Sequence, residues 1–155
     1  MITLDALAQT AAQVLRDNQP LSEWIGAEYG KEMTVIIGLD ARKPPGLKET
    51  PFILIRAPRM DGGLEADQNN YTLMVDWGLN EPGIETADGI TKYKGHAQAD
   101  AMGNLILDAI FGLSDQMAPM VQDYEIESEM FFPLIAGGTT LSFSEPNTIG
   151  ASLTI

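Results

Sequence analysis

The chain has 155 residues, no cysteine, and a formal net charge of −13 from nine basic and 22 acidic residues. This length fits one domain, and the absence of cysteine excludes disulfides and thiolate zinc sites. All basic residues lie at or before Lys94. Binding to nucleic acid requires clustered Lys and Arg, so this charge argues against nucleic-acid binding. It favours a surface that keeps the protein soluble, or one that DNA can pass without being bound. No apolar run approaches the roughly 18 residues of a membrane helix.

Two regions show the periodicity of amphipathic helices. The first covers residues 3–17, and a short helix over residues 21–29 follows it, opened by Pro20 and ended by Gly30. The second amphipathic region covers residues 97–111. These patterns predict three helices, with two of them near the N-terminus.

The remaining apolar segments predict strands at residues 33–39, 52–55, 71–79, 124–130 and 139–143. Turns and loops separate them rather than regular crossover helices. We therefore expect an α+β domain, with a mainly antiparallel β-sheet and helices packed against it. We expect residues 58–70 and 80–94 to be loops, and residues 144–155 to form an extended C-terminal arm.

Motifs for catalysis are absent from the sequence. His96 is the one histidine, and neither a G-x-S-x-G elbow nor a phosphate loop is present. Residues 137–140 lack the lysine of a phosphate loop and are typical of a turn between strands. The acidic residues at 61–67 do not match a calcium-binding loop, and the glutamates at 125–129 are spaced for a solvated strand face and not for convergence on one ion. We expect no catalytic, cofactor-binding or metal-binding residue.

The order of the elements, however, has a recognisable layout. An N-terminal helix precedes strands that begin after a proline, and a long hairpin, a helix containing Ala and Gly, and closing strands follow. The segments concerned are residues 48–55, 71–77, 101–106, 131–138 and 141–143. This layout resembles the tail terminator or tail completion proteins of tailed bacteriophages and their relatives in the neck. The resemblance covers most of residues 1–145 and rests on layout and length, without a diagnostic motif.

The resemblance implies an α+β subunit that assembles into a ring, usually a hexamer. The ring caps the finished tail tube and joins the tail to the head. Its partners would be copies of itself, the tail tube protein and a head-completion or connector protein, without a membrane or a cofactor. DNA would pass through the ring without specific binding, past six copies that together carry −78 at −13 each. The protein would be made in the host cytoplasm and end in the virion, in the tail or neck.

The predicted loop at residues 58–70 is long for a hairpin connection, and such loops are usually functional or lack fixed structure. On a glycine-rich frame it carries Arg59, Met60, Asp61 and Leu64. Within a ring, we expect these four residues to contact a neighbouring subunit or the tail tube.

Strict alternation over residues 124–130 places Glu125, Glu127 and Glu129 on one face of a predicted strand. Within a ring, we expect this face to line or border the channel, because a wall of this sign does not hold DNA. The alternative is that the three glutamates only keep an exposed sheet face soluble and unpaired.

Two other functions fit the same sequence. One is another neck, head-completion or tail-tube-associated phage protein. The other belongs to a different class, a small-molecule-binding or enzymatic α+β domain whose site the sequence does not reveal. Oligomeric state separates the classes, since a discrete ring favours the virion proteins.

Overall fold

A five-stranded sheet with helices on one face forms the body of the chain. The structure, a computed structural model, describes residues 2–61, 68–113, 117 and 119–146. The helices are α1 (Leu4–Asp17), α2 (Gln19–Tyr29) and α3 (Gly95–Phe111). The strands are β1 (Thr34–Ile37), β2 (Phe52–Asp61), β3 (Gln68–Asn80), β4 (Ile84–Ala87), β5 (Ile90–Tyr93), β6 (Met120–Glu127) and β7 (Leu134–Pro146).

The main sheet has the order β1-β2-β3-β7-β6. Its strand pairs are antiparallel except for β1 and β2, which are parallel. Strands β4 and β5 form a separate antiparallel hairpin. The α+β class with a mainly antiparallel sheet is therefore confirmed, and β1 and β6 are the two edges of the main sheet.

The helices cover one face of this sheet, and the hydrophobic core lies between the helices and the sheet. Alternation in β3 puts Tyr71, Leu73 and Val75 on the helix side, where they are fully buried. On the helices, apolar residues recur every three or four positions, so they form a stripe that faces the sheet. Buried residues that pack in this core include Leu7, Ala11, Leu15, Ile53, Ile55, Trp77, Met102, Ile106, Ile110, Leu141 and Phe143.

Local sequence explains where the N-terminal helices begin and end. The Thr3 hydroxyl accepts the backbone N–H of Ala6 at 3.0 Å and caps α1. The Asn18 carboxamide oxygen accepts the N–H of Leu21 at 3.0 Å and caps α2. Gly30 ends α2 with φ of 65°, in the left-handed region that glycine adopts without steric cost.

The loop predicted at residues 58–70 is wrong in its extent. Strand β2 continues to Asp61 and β3 begins at Gln68, with Asp61 opposite Asn70. Backbone pairing holds these residues in the ladder, and because their side chains are mostly polar, including the buried Asn69, the sequence shows no apolar alternation here. The register shifts between Arg56 and Arg59, which accommodates Pro58, since proline cannot donate to a ladder. Leu64 and the rest of 62–67 lie outside the described residues.

The loop predicted at residues 80–94 is also wrong, because it contains the hairpin of β4 and β5. Its side chains are exposed on both faces, so the sequence shows no alternation. The overlooked sequence feature was the Asp88-Gly89 dipeptide, a strong indicator of a two-residue hairpin turn. Both residues have positive φ, 53° and 77°.

Three predictions in the last third of the chain need correction. Strand β6 ends at Glu127, so Glu129 lies beyond it in a bend. The predicted turn at residues 137–140 lies inside β7. Gly137 and Gly138 have no side chains there, which leaves room for the side chains of Trp77 and Asp76. Residues 144–146 of the predicted arm belong to β7, and residues 147–155 lie outside the described residues.

Candidate assembly surfaces

The sheet face opposite the helices, called here the open face, contains a cleft of about 320 Å³. Phe52 and Leu54 of β2 form part of its floor, and both are buried outside the core under the helices. The chain between β1 and β2 forms one wall, through residues such as Leu39. Glu125 and Glu127 of β6 line the opposite side. We call this feature the acidic cleft.

Charge in the acidic cleft is mainly negative. The Arg56 guanidinium Nε lies 2.5 Å from the Asp76 carboxylate Oδ2, and this pair sits beside Glu125 and Glu127. The lining thus has one positive and three negative side chains. The backbone N–H groups of residues 129 and 130 donate to Glu127 and lower its pKa. The cleft therefore suits a positively charged or hydrogen-bond-donating group.

The structure brings together two of the three glutamates predicted to share a face. Glu125 lies opposite Gly138, which lies opposite Asp76 in the next strand. Glu125 and Glu127 are exposed, whereas Tyr124 and Ile126, on the other face of the strand, pack against the core. Glu129 is also exposed but is held in the bend after β6, where its N–H bonds Glu127.

A second surface lies where β3 ends and β7 begins. It consists of exposed apolar side chains from the hairpin of β4 and β5 and from the turn after β6. Tyr93 and Phe132 meet edge to face, with ring centroids 5.5 Å apart. Phe131 is 63% exposed and Met130 is 74% exposed. The surface, called here the apolar end, comprises Ile84, Tyr93, Met130, Phe131 and Phe132. The exposed Ile90 lies on the other face of the hairpin, opposite Ala87.

The apolar end was not predicted from the sequence. The run Met130-Phe131-Phe132 was treated as part of the closing strands, where large apolar side chains are expected to be buried. A short continuous apolar run is equally typical of a buried strand, so the pattern alone did not indicate an exposed surface.

The third surface is the opposite end of the sheet, at the tip of the β2–β3 hairpin. Arg59 and Asp61 form an exposed ion pair, 3.0 Å from Nη2 to Oδ2, and Met60 between them is partly exposed. An open cavity of about 460 Å³ lies beneath Pro58 and Met60, next to the start of α1. Three of the four predicted contact residues therefore lie together on this hairpin.

A hydrogen-bonded cluster ties this end of the sheet to the N-terminus. Glu145 Oε1 accepts the Tyr71 hydroxyl at 2.6 Å and the Ile2 backbone N–H at 3.0 Å. Burial, reinforced by the neighbouring carboxylate, raises the pKa of Tyr71 to about 12. Burial alone would raise the pKa of Glu145, but the two hydrogen bonds outweigh it and lower that pKa.

Two titratable groups outside these three surfaces are His96 and Tyr124. His96 is exposed in the first turn of α3. The Tyr124 hydroxyl donates to Asp100 Oδ1 at 2.6 Å, and burial followed by that carboxylate raises the tyrosine pKa, so the phenol stays neutral. Within the residues the structure describes, no group of three or more His, Cys, Asp or Glu side chains is arranged to hold a metal ion.

Comparison with protein-family models and with curated proteins finds no match to this chain. Among the described helices, none is long and apolar enough to cross a membrane.

Proposed function

We propose that the protein is a phage tail terminator, a virion subunit that forms a ring, caps the tail tube and joins the tail to the head. The observation that carries this proposal is the apolar end. Large exposed apolar groups that touch one another mark protein–protein contact sites on soluble domains. Here they come from two separate segments, and Tyr93 packs on Phe132.

The positions of two of these surfaces, at opposite ends of the sheet, support the proposal that the subunit lies between two different partners. The apolar end and the hairpin tip lie at opposite ends of β3, and its thirteen residues span roughly 40 Å. A terminator has to contact the tube on one side and the head connector on the other. In this arrangement, the two ends of the sheet point toward different partners.

The distribution of charge supports contact between copies of the chain. The connection between β1 and β2 carries exposed Arg42, Lys43 and Lys48 against exposed Asp40 and Glu49, a net of one positive charge. Arg42 is paired with Asp40, so Lys43 and Lys48 provide the positive charge of this edge. The opposite edge of the sheet carries Asp123, Glu125 and their exposed acidic neighbours. Opposite charges on the two edges favour a head-to-tail arrangement of subunits. When the rotation between subunits closes, such contacts produce a ring.

The test is reconstitution with the tail tube protein encoded in the same genome. Electron microscopy would show whether the protein binds tube ends and stops tube growth, and native mass spectrometry would give the number of copies. We expect Phe132→Ser to weaken end binding at least tenfold. Leu47→Ser is the matched control, since Leu47 and Phe132 are both 41% exposed. Equal binding by wild type and both variants would contradict the role of the apolar end.

Other outcomes distinguish the alternatives. A ring that ignores tubes but binds the head connector would indicate a head-completion protein. Binding along the sides of tubes would indicate a tube-associated protein. In either case the contact surfaces described above remain, and only the partner changes.

The acidic cleft favours one function of a different class, the binding of a small cationic molecule. Its volume of about 320 Å³ lies at the lower limit for ligand sites, and its floor is partly apolar. A thermal-shift screen of polyamines and cationic metabolites tests this function. A monomer that binds such a compound tightly, and loses that binding in Glu125→Gln, would replace the terminator proposal.

A further inference from the structure

The hairpin of β4 and β5 exposes both of its faces. All eight residues of its two strands are exposed, and a two-stranded hairpin by itself is at best marginally stable in water. One face carries Ile84 and Tyr93 of the apolar end. Ile90, on the other face, is 69% exposed. This second face therefore gains stability when another surface covers it.

The Ile90 face of the hairpin has an ordered series of side chains. Lys92 lies two residues after Ile90 on the same face, about 7 Å along the strand. Asp88 lies in the turn before Ile90, and all three side chains are exposed. From the turn toward the base of the hairpin, the face is therefore negative, then apolar, then positive. Glu85 lies opposite Lys92, but the described ion pairs do not include either residue.

The acidic cleft has the complementary series across the open face. Lys43 directly precedes Pro44, which belongs to the wall formed by the connection between β1 and β2. Phe52 contributes to the apolar floor, and Glu125 and Glu127 line the side formed by β6. From β1 to β6, the cleft is therefore positive, then apolar, then negative.

The two series have similar lengths. Strands β2 and β6 are three strand spacings apart in the sheet, which is roughly 14 Å. The step from Ile90 to Lys92 covers about half of this distance, and the flexible four-carbon stem of lysine covers the rest. A hairpin that lies across the strands thus brings Ile90 over Phe52 and the Lys92 ammonium group beside Glu125 and Glu127.

The cation that fits the cleft has few sources in this chain. The segments outside the described residues contain no Lys or Arg. Arg42, Arg56 and Arg59 already form ion pairs. Lys92 is exposed and has a large apolar neighbour on its own face. Within the described part of the chain, the cleft lining contains no residue of the hairpin, so Lys92 has to come from a second copy.

We infer that the Ile90 face of the hairpin of one copy docks in the acidic cleft of a second copy. Ile90 covers the apolar floor, and Lys92 pairs with Glu125 and Glu127. The hairpin and the cleft are different surfaces, so the contact is head to tail and repeats around a closed ring. It supplies the contact between copies that the proposed ring requires, but it does not depend on binding to a tail tube. The apolar end, on the other face of the hairpin, stays free for another partner.

The first experiment measures the association of full-length variants by native mass spectrometry, without any tube protein. Ile90→Ser removes the apolar group and Lys92→Glu reverses the positive charge. Ile90→Val and Glu85→Gln are the matched controls, since the first keeps an apolar side chain and the second changes a charge on the same face but leaves Lys92 intact. We expect oligomers for wild type and both controls, and at least tenfold weaker association for Ile90→Ser and Lys92→Glu, with unchanged circular dichroism. A monomeric wild type, or full association by either test variant, would overturn the inference.

A charge exchange tests the ion pairing itself. Glu125→Lys with Glu127→Lys should also dissociate the oligomer. Adding Lys92→Glu to this pair should restore it, because opposite charges then meet again across the contact. The double lysine variant also separates this contact from the channel lining predicted for the two glutamates. Intact oligomers of the double variant, or a folded triple variant that stays monomeric, would overturn the inference.

Cross-linking covers the case in which a charge variant does not fold. The chain has no cysteine, so the introduced cysteines are its only thiols. A chain with Ala87→Cys, on the Ile90 face, is mixed with a chain with Pro44→Cys and treated with a short bismaleimide. Ser22→Cys, at an exposed position of α2, replaces Pro44→Cys in the control. We expect cross-links between positions 87 and 44 at least tenfold above the control, and equal yields would overturn the inference.

These results are separable from the proposed function. Oligomers that require Lys92 but do not cap tubes would retain the inference and contradict the terminator. Tube capping by a ring that is insensitive to Lys92→Glu would do the reverse.

Discussion

The indole of Trp77 occupies the space that a side chain at position 137 would need. A Cβ atom built on Gly137 would lie 2.3 Å from Trp77 Cε2, and one built on Gly103 of α3 would lie 2.5 Å from Cζ2. The same indole donates its Nε1–H to the carbonyl of Ala99 at 2.9 Å. Gly137 of β7 and Gly103 of α3 thus leave the space that Trp77 occupies, and Trp77 is the largest fully buried side chain among the described residues.

We expect Gly137→Ala to destabilise the fold by about 1–3 kcal/mol, because a well-packed core has to shift to accept the methyl group. Gly26→Ala is the matched control. A Cβ on Gly26 meets no atom within 4 Å, and replacing a helical glycine with alanine stabilises by about 0.5–1 kcal/mol. Urea unfolding followed by circular dichroism measures both. Equal effects of the two substitutions would contradict the packing described for Trp77.

The hydrogen bonds to Glu145 predict a pH dependence of stability. Its pKa is lower in the folded state than the ordinary value of 4.5. The ionised form therefore stabilises the fold above that value, and the contribution disappears as the pH falls through the folded-state pKa. We expect wild type to be more stable than Glu145→Gln at pH 7 and the difference to shrink toward pH 3. A difference that stays constant over this range would show that ionisation of Glu145 does not contribute.

The tip of the β2–β3 hairpin is predicted to contact a neighbouring subunit or the tail tube. Replacing residues 62–67 with Asn-Gly shortens the connection between the paired residues Asp61 and Asn70 from eight residues to four, a length that hairpins also use. We expect an unchanged melting temperature and loss of ring or tail assembly, measured by thermal denaturation and electron microscopy. Arg59→Ser and Asp61→Ser together test the paired side chains without changing the length. Normal tails from the shortened chain would remove the hairpin from the assembly surface.

The exposed glutamates predict how DNA passes the ring. If Glu125 and Glu127 border the channel, Glu125→Lys with Glu127→Lys should slow DNA ejection, since lysines bind phosphates. Glu125→Gln with Glu127→Gln separates loss of charge from reversal of charge, and Glu129→Lys tests the position beyond the strand. Ejection rates from assembled particles measure the effect. Normal ejection by the double lysine variant, with intact assembly, would leave solubility as the role of these residues.

Helices and strands that bury one face have a periodic apolar pattern, and these elements were predicted from the sequence. Elements whose side chains are exposed on both faces have no such pattern and were not predicted. The 3.6-residue period located α1 and α3, and alternation located β3 from Tyr71 onward. The hairpin of β4 and β5 has exposed side chains on both faces, so only its turn dipeptide marked it. Gly137 lies inside β7, but its glycine pair predicted a turn. The reason for a glycine at this position is the indole of Trp77, which lies sixty residues earlier in the chain and fills the space of a side chain.

The candidate surfaces divide in the same way. Alternation put Glu125 and Glu127 on one face of the strand, and both are exposed, whereas Tyr124 and Ile126 on the other face pack against the core. The cleft beside them was not predictable, since it forms only when the chain after β1 approaches β6. The apolar end likewise depends on the meeting of Tyr93 with Phe132, which lie far apart in the sequence.

Strands β3 and β7 pair over thirteen consecutive residues, from Gln68 opposite Pro146 to Asn80 opposite Leu134. A pull between the two ends of the sheet runs along these strands, so it shears the whole ladder at once instead of opening it one bond at a time. Such a subunit resists stretching more than a hairpin pulled apart from one side. A part held between a pressurised head and a tube would use this mechanical strength directly.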